Sequence, residues 1–224
     1  MSFGDKKLSE IAVSVPGSTS LLREYDLDFC CGGSDTLANA AAEKGLNLEE
    51  IETRLTELQN SKAENPEEYW VNATYPEIID HILVRYHQRH REQLQELIVL
   101  ADRVESVHGD REDCPIGVAA ELRNVYEDLS NHMMKEEHVL FPMIKAGNYM
   151  MAQMPIRMME MEHAEHGEHL DVLKSLTNNM TPPADACNTW RALYSGIQEF
   201  ADDLMMHIHR ENNILFPRVI AENH

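Results

Sequence analysis

The sequence predicts an all-α protein, in which a small N-terminal helical domain precedes an antiparallel four-helix bundle. Three observations carry this expectation. Four long segments after residue 74 space their apolar residues at helical intervals, strand-like alternation prevails nowhere, and a polar stretch containing Pro66 separates them from a shorter, Ala-rich region. At 224 residues and 43% hydrophobic content the chain has material for a real core. The expected division is residues 1–62 for the N-terminal domain, 63–74 for a linker and 75–224 for the bundle.

In the N-terminal region, apolar patches at Ile11 to Val15 and Leu21 to Leu27 precede a stretch from Leu37 to Leu58 with helical spacing. The linker sequence, SKAENPEEYWVNAT, sustains no period. The first bundle segment opens at Thr74-Tyr75-Pro76-Glu77, with capping-box spacing between Thr74 and Glu77 and proline in the first turn, and is expected to run to Ser106. The second is expected from Cys114-Pro115 to Lys145-Ala146-Gly147, a basic residue followed by glycine as helix ends prefer. The third is expected from Pro155 to Leu176, and the fourth from Pro183 to Ile220. Short connections make an up-down-up-down bundle the economical way to bury four apolar stripes.

The net charge of -20 opposes contact with a phosphate backbone, so no nucleic-acid partner is expected. No run of apolar residues is long enough for a membrane span, and the first residues lack a signal-peptide pattern, so the expected location is cytoplasmic with no membrane partner. Four cysteines, Cys30, Cys31, Cys114 and Cys187, fit a reducing compartment.

The chemistry lies in an internal repeat. His132-Met-Met-Lys-Glu136-Glu-His-Val-Leu-Phe-Pro142 matches His207-Ile-His-Arg-Glu211-Asn-Asn-Ile-Leu-Phe-Pro217, both reading HxxxExxxLFP. Upstream, His87 precedes His132 by 45 positions and His163 precedes His207 by 44, so the chain holds two copies of one helix pair. His and Glu at i and i+4 share a helix face, roughly 5–6 Å apart at Cβ, and both reach one cation. Four imidazoles and two carboxylates favour iron or manganese over the thiolate-rich sites of structural zinc. Two carboxylates among four histidines imply two metals, with Glu136 and Glu211 as bridges. Pro142 and Pro217 are expected to kink or end their helices past the glutamates. His81, His90, His138, His166, His169 and His209 find no counterpart under the repeat and are assigned to the surface or to places behind the ligands, with His90 and His166 the nearest to exceptions. The methionine pairs Met133-Met134 and Met205-Met206 read as flexible core filler.

Cys30 and Cys31 stand in the segment Tyr25-Asp-Leu-Asp-Phe-Cys-Cys-Gly-Gly33. Neighbouring Cα atoms sit about 3.8 Å apart, short of the roughly 4.4–6.8 Å that ordinary disulfides span, so reduced thiols are expected. A helix starting soon after would lower a thiol pKa and suit transfer or redox work; buried structural cysteines beside a turn are the other reading. Cys114 and Cys187 read as structural.

The blocks YDLDFCCGG, IIDHILVRYHQRHREQL, LSNHMMKEEHVLFPMIK, MEMEHAEHGE, TNNMTPP and HIHRENNILFPR together resemble the iron-sulfur cluster repair di-iron proteins, the RIC family, along essentially the whole chain. The resemblance implies a hemerythrin-like bundle and a non-haem centre of two iron ions, and counting donors under the repeat leaves a place for a solvent-derived bridge. It implies ligands at His87, His132, Glu136, His163, His207 and Glu211, the same six that the repeat selects. It also implies repair of iron-sulfur clusters damaged by oxidative or nitrosative stress, by iron donation or nitric oxide chemistry, and nitric oxide reductase activity stays open. The partners implied are damaged iron-sulfur proteins or apo-cluster acceptors, with nitric oxide or oxygen as small ligand, and a homodimer is left open. Oxygen-carrying hemerythrins use a fifth histidine in an HxxxH pair; here Gly167 follows His163 by four and Arg91 follows His87 by four. An oxygen or nitric oxide binding or sensing module without repair activity is the alternative.

Overall fold

The computed structural model describes residues 2–61 and 63–222; residues 1, 62, 223 and 224, at the ends of the expected domains, lie outside the described residues. The described residues are helical apart from loops and one isolated bridge, Lys7 to Thr36. None of their helices is long and apolar enough to cross a membrane. The chain divides into two compact units, Met1–Ile78 with Met206–His224, and Ile79–Met205.

In the first unit, α1 (Leu8–Ser14), α2 (Ser18–Glu24), α3 (Leu37–Glu43) and α4 (Leu48–Asn60) close around Leu8, Ile11, Leu22, Leu27, Phe29, Leu37, Ile51 and Leu55, all buried. Thr36 and Asn47 cap α3 and α4 by accepting from Asn39 N–H and Glu50 N–H, which satisfies donors that a helix start leaves over. Within the stretch expected as linker, α5 (Pro66–Asn72) forms a short helix, with Asn65 as cap and Pro66 in its first turn. It is too short for a period to show, and its fixing contacts come from far along the chain. One is Arg218 donating to the Trp70 carbonyl (3.2 Å).

The second unit is the bundle. Its helices are α6 (Tyr75–Ile82, entering the unit at Ile79), α7 (Gln88–His108), α8 (Val118–Lys135), α9 (Phe141–Lys145), α10 (Tyr149–Leu176) and α11 (Asn188–Arg210, leaving after Met205). Helix α8 packs on both α7 and α10, and Asp203 on α11 binds Arg85 and Gln93. Leu97, Leu122, Leu129, Ile156, Leu173, Trp190, Ile197 and Phe200 supply the core. The capping box forms as its spacing predicts, Thr74 N–H donating to Glu77 (2.8 Å) and Glu77 N–H to Thr74 Oγ1 (3.4 Å).

Three helix starts differ from expectation, each for a physical reason. Helix α8 begins at Val118, because Gly117 takes a left-handed conformation (φ 103°) and the Glu105 carboxylate caps the start from α7, accepting from Gly117 and Ala119. Helix α10 begins at Tyr149 and carries Pro155 inside it; the carbonyl that loses its donor belongs to Met151, an exposed residue within reach of water. Helix α11 begins at Asn188, since Ala186 N–H closes a turn on the Pro183 carbonyl and Arg191 binds the carbonyls of Ala184 and Ala186.

The two LFP prolines neither end nor break their helices. Wide π-turns at Glu136–Leu140 and Glu211–Leu215 precede them, and the chain continues as α9 and as α12 (Phe216–Ala221). A widened turn relieves the clash between a proline ring and the carbonyl four residues back. A third π-turn, Leu83–His87, joins α6 to α7. The methionine pairs divide: Met133 is buried and Met134 is 49% exposed, while Met205 and Met206 are half-buried.

Candidate metal centre

Each π-turn carries one of the repeat-selected residues, His87, Glu136 or Glu211. Inserting one residue into a turn re-aims the side chains around it, and such turns concentrate at functional sites. His132 and His163 come from the regular helices α8 and α10, and His207 from α11. All six are at most 1% exposed.

In the bundle unit, Glu136 Oε2 lies 3.3 Å from His87 Nε2 and 3.4 Å from His132 Nε2, while His163 Nε2 lies 3.1 Å from His132 Nε2. In the other unit, His207 Nε2 lies 3.3 Å from Glu211 Oε1. The donor atoms sort into two sets, His87, Glu136, His207 and Glu211, and His132, Glu136, His163 and Glu211; within each set one atom per residue lies within 4.8 Å of the others. Both glutamates belong to both sets. Two fully buried carboxylates repel unless cations compensate them, and imidazole with carboxylate is the donor chemistry of first-row divalent metals, so the residues present fit a cation site.

Two carboxylates that the repeat does not select hold the outer nitrogens of the rings. Glu137 Oε1 lies 2.8 Å from His87 Nδ1 and Glu162 Oε2 lies 2.9 Å from His132 Nδ1. Hydrogen bonding to His87 holds Glu137 down at about 2, against burial and with help from Arg91; His132 does the same for Glu162, also at about 2, with help from Lys135. Each accepts Nδ1–H and turns the Nε2 lone pair toward the cluster. Their signal in the sequence was an acidic residue directly beside a repeat position, Glu137 after Glu136 and Glu162 before His163.

The remaining histidines take varied places. His90 is buried between the rings of Tyr86 and Phe200, His166 is buried with its ring 4.9 Å from that of His132, and neither belongs to a donor set. His138 is exposed and His81 half-buried. His169 binds Glu121 and Asp128. His209, expected at the surface or behind the ligands, is fully buried and meets the Phe29 ring edge-on at 5.3 Å. Burial holds it below its ordinary value against the pull of Glu67, and its Nδ1 lies 2.8 Å from the side-chain amide nitrogen of Asn213.

Cys30 and Cys31 sit together in the loop after α2, 3.7 Å apart at sulfur. No helix N-terminus activates them, since α3 starts only at Leu37. The Cys30 thiol is instead pushed well above its ordinary value, first by its hydrogen bond with Cys31, then by burial and by the charge of Asp28. Gly33 is a steric requirement: a Cβ there would lie 2.5 Å from the Phe29 carbonyl oxygen. His108 Nε2 approaches Cys187 at 3.2 Å, and Cys114 is buried in the bundle unit.

Residues 78–219 match the Hemerythrin HHE cation binding domain, and residues 4–59 match ScdA_N, a domain of unknown function. The chain is 68% identical to a probable iron-sulfur cluster repair protein of Haemophilus influenzae, across 99% of this chain and 100% of that one. It is 55% identical to the iron-sulfur cluster repair protein YtfE of Citrobacter koseri, across 99% of both chains, and 54% identical to that of Musicola paradisiaca, across 98% of both. With a hemerythrin model spanning over half its length and relatives matched from end to end, this chain belongs to the YtfE family of iron-sulfur cluster repair proteins.

Proposed function

We propose that this chain repairs iron-sulfur clusters damaged by oxidative or nitrosative stress, working through a non-haem di-iron centre. The observation that carries the reading is the pair of buried donor sets sharing Glu136 and Glu211, in a chain with full-length relatives named as repair proteins. His87 and His207 would serve one iron, His132 and His163 the other, and the two glutamates would bridge. When bound, ferrous iron offers exchangeable coordination and one-electron redox chemistry, suited to iron donation or to nitric oxide.

The chain's own residues do the positioning. Glu137 and Glu162 keep the protons of His87 and His132 on Nδ1, so that Nε2 stays a donor. Leu140 and Phe141 follow Glu136, and Leu215 and Phe216 follow Glu211, in buried LF pairs that would help to keep bulk water out, and the Phe141 ring stacks 5.8 Å from that of His87. Two imidazoles and two carboxylate oxygens would supply about four donors to each ion, and a six-coordinate ferrous ion would keep about two positions for solvent or an incoming ligand. Gly167 offers no side chain four residues after His163, and Arg91, four after His87, is engaged with Glu137 at 2.7 Å. Neither supplies the fifth histidine of an oxygen carrier, which favours repair over oxygen storage.

The test is to incubate the iron-57-loaded, anaerobically prepared chain with a nitric-oxide-damaged [4Fe-4S] enzyme. The reading expects recovered activity in the damaged enzyme, with iron-57 entering its cluster if the chain is a donor and remaining in place if it consumes nitric oxide. Nitric oxide binding with no recovery would support the binding-module alternative and overturn repair.

A further inference from the structure

We propose that Asp28, Cys30 and Cys31 form a second metal site, a dithiolate-carboxylate site for a thiophilic divalent cation, distinct from the imidazole-carboxylate cluster. One ligand atom from each of the three lies within 4.8 Å of the others. The two sulfurs are 3.7 Å apart, and Cys30 Sγ is 3.2 Å from Asp28 Oδ1. Cys30 is buried at 5% exposure and Cys31 is half-buried.

The loop is built to hold this arrangement. Asp28 Oδ1 accepts from the backbone N–H groups of Cys30 (3.0 Å) and Cys31 (2.9 Å), and Oδ2 from that of Gly32 (2.9 Å). From below, the side-chain amides of Asn213 and Asn212 donate to the carbonyls of Phe29 (2.8 Å) and Cys30 (2.9 Å). Phe29 is fully buried, and Gly33 packs too closely on the Phe29 carbonyl for any side chain. The backbone carrying the two sulfurs is thus tied on both faces, and a preorganised ligand set loses little entropy on binding. A disulfide between adjacent residues would strain this geometry, whereas a cation of ordinary radius bridges two sulfurs at van der Waals distance without moving the chain.

The donor set names the ligand class. Thiolates select zinc, ferrous iron or cobalt over magnesium and calcium, and three protein donors leave a tetrahedral ion one open position. Asp28 is exposed and Cys31 half-buried, so that position has a route to solvent. Binding would release the two thiol protons to solvent and form two metal-sulfur bonds, with no change of oxidation state.

The test is an anaerobic cobalt(II) titration of the reduced, full-length, iron-loaded chain, followed by near-ultraviolet and visible absorption, with iron counted in the same samples. One cobalt per chain should bind with thiolate-to-cobalt charge-transfer absorption and the intense visible bands of a four-coordinate ion. The Cys30→Ser/Cys31→Ser variant should lose this signal, and Asp28→Asn, which keeps the Oδ1 acceptor, should weaken binding about 10–100-fold. Cys31→Ser, at a half-buried position, tests the point without emptying the core, and should cut the charge-transfer intensity at least by half. Cys114→Ser/Cys187→Ser should leave the signal whole. Absence of charge-transfer absorption at excess cobalt, or its survival in Cys30→Ser/Cys31→Ser, would overturn the assignment whatever the iron count of the histidine cluster.

Discussion

Arg210, one residue before Glu211, is buried against Glu67, 143 positions earlier in the chain. Nη1 binds Glu67 Oε2, Nη2 lies 3.3 Å from Oε1, and the guanidinium sits 4.8 Å over the Trp70 ring. Both partners are at most 5% exposed, so either one alone would be an uncompensated buried charge. Glu67→Ala should therefore destabilise the fold by about 3–5 kcal/mol, read from chemical denaturation. A loss below about 1 kcal/mol would mean that the pair is solvated in solution.

The carboxylates behind the rings give a second expectation. Glu137→Ala and Glu162→Ala should each weaken metal retention by roughly 10–100-fold in chelator competition, with helicity preserved, because the rings lose the acceptor that orients them. Unchanged retention in both would reduce Glu137 and Glu162 to surface partners of Arg91 and Lys135.

Sequence spacing brought out the four bundle helices and the six residues of the two donor sets, since i, i+4 geometry and a repeat are both local signals. What it could not bring out depends on contacts between distant residues. Glu105 caps α8 from α7, Glu67 meets Arg210, and Asn213 holds the loop at Phe29. The π-turns have no periodic signature either; Pro142 and Pro217 marked their neighbourhood, but a helix end and a widened turn look alike in sequence.

His169 supplies a pH dependence. Burial opposes its protonated form, yet the hydrogen bonds it donates to Glu121 (2.6 Å) and Asp128 (3.1 Å) outweigh this and raise it above its ordinary 6.5. A raised folded-state value means that the stabilisation is full below about pH 6.5 and fades as pH rises through the folded value. His169→Gln should cost about 0.5 kcal/mol near pH 5.5 and nothing near pH 9, solvent screening keeping the pair in the range of surface ion pairs. A cost that grows with pH would contradict the assigned partners.

Gly33→Ala tests the thiol loop. Its Cβ would meet the Phe29 carbonyl at 2.5 Å and the Ser9 Cβ at 3.0 Å, so the backbone must shift. The expected loss is about 1–3 kcal/mol, with faster amide exchange from Phe29 to Asp35. Exchange that stays at the parent rate would show that the loop tolerates the side chain.

Glu136 and Glu211 are each expected to serve two cations at once, which iron counting with Mössbauer spectra on anaerobically prepared chain checks. The parent chain should hold two irons in similar nitrogen and oxygen environments, and Glu136→Ala and Glu211→Ala should each lose at least one while remaining helical. Two tightly bound irons in either variant would contradict it.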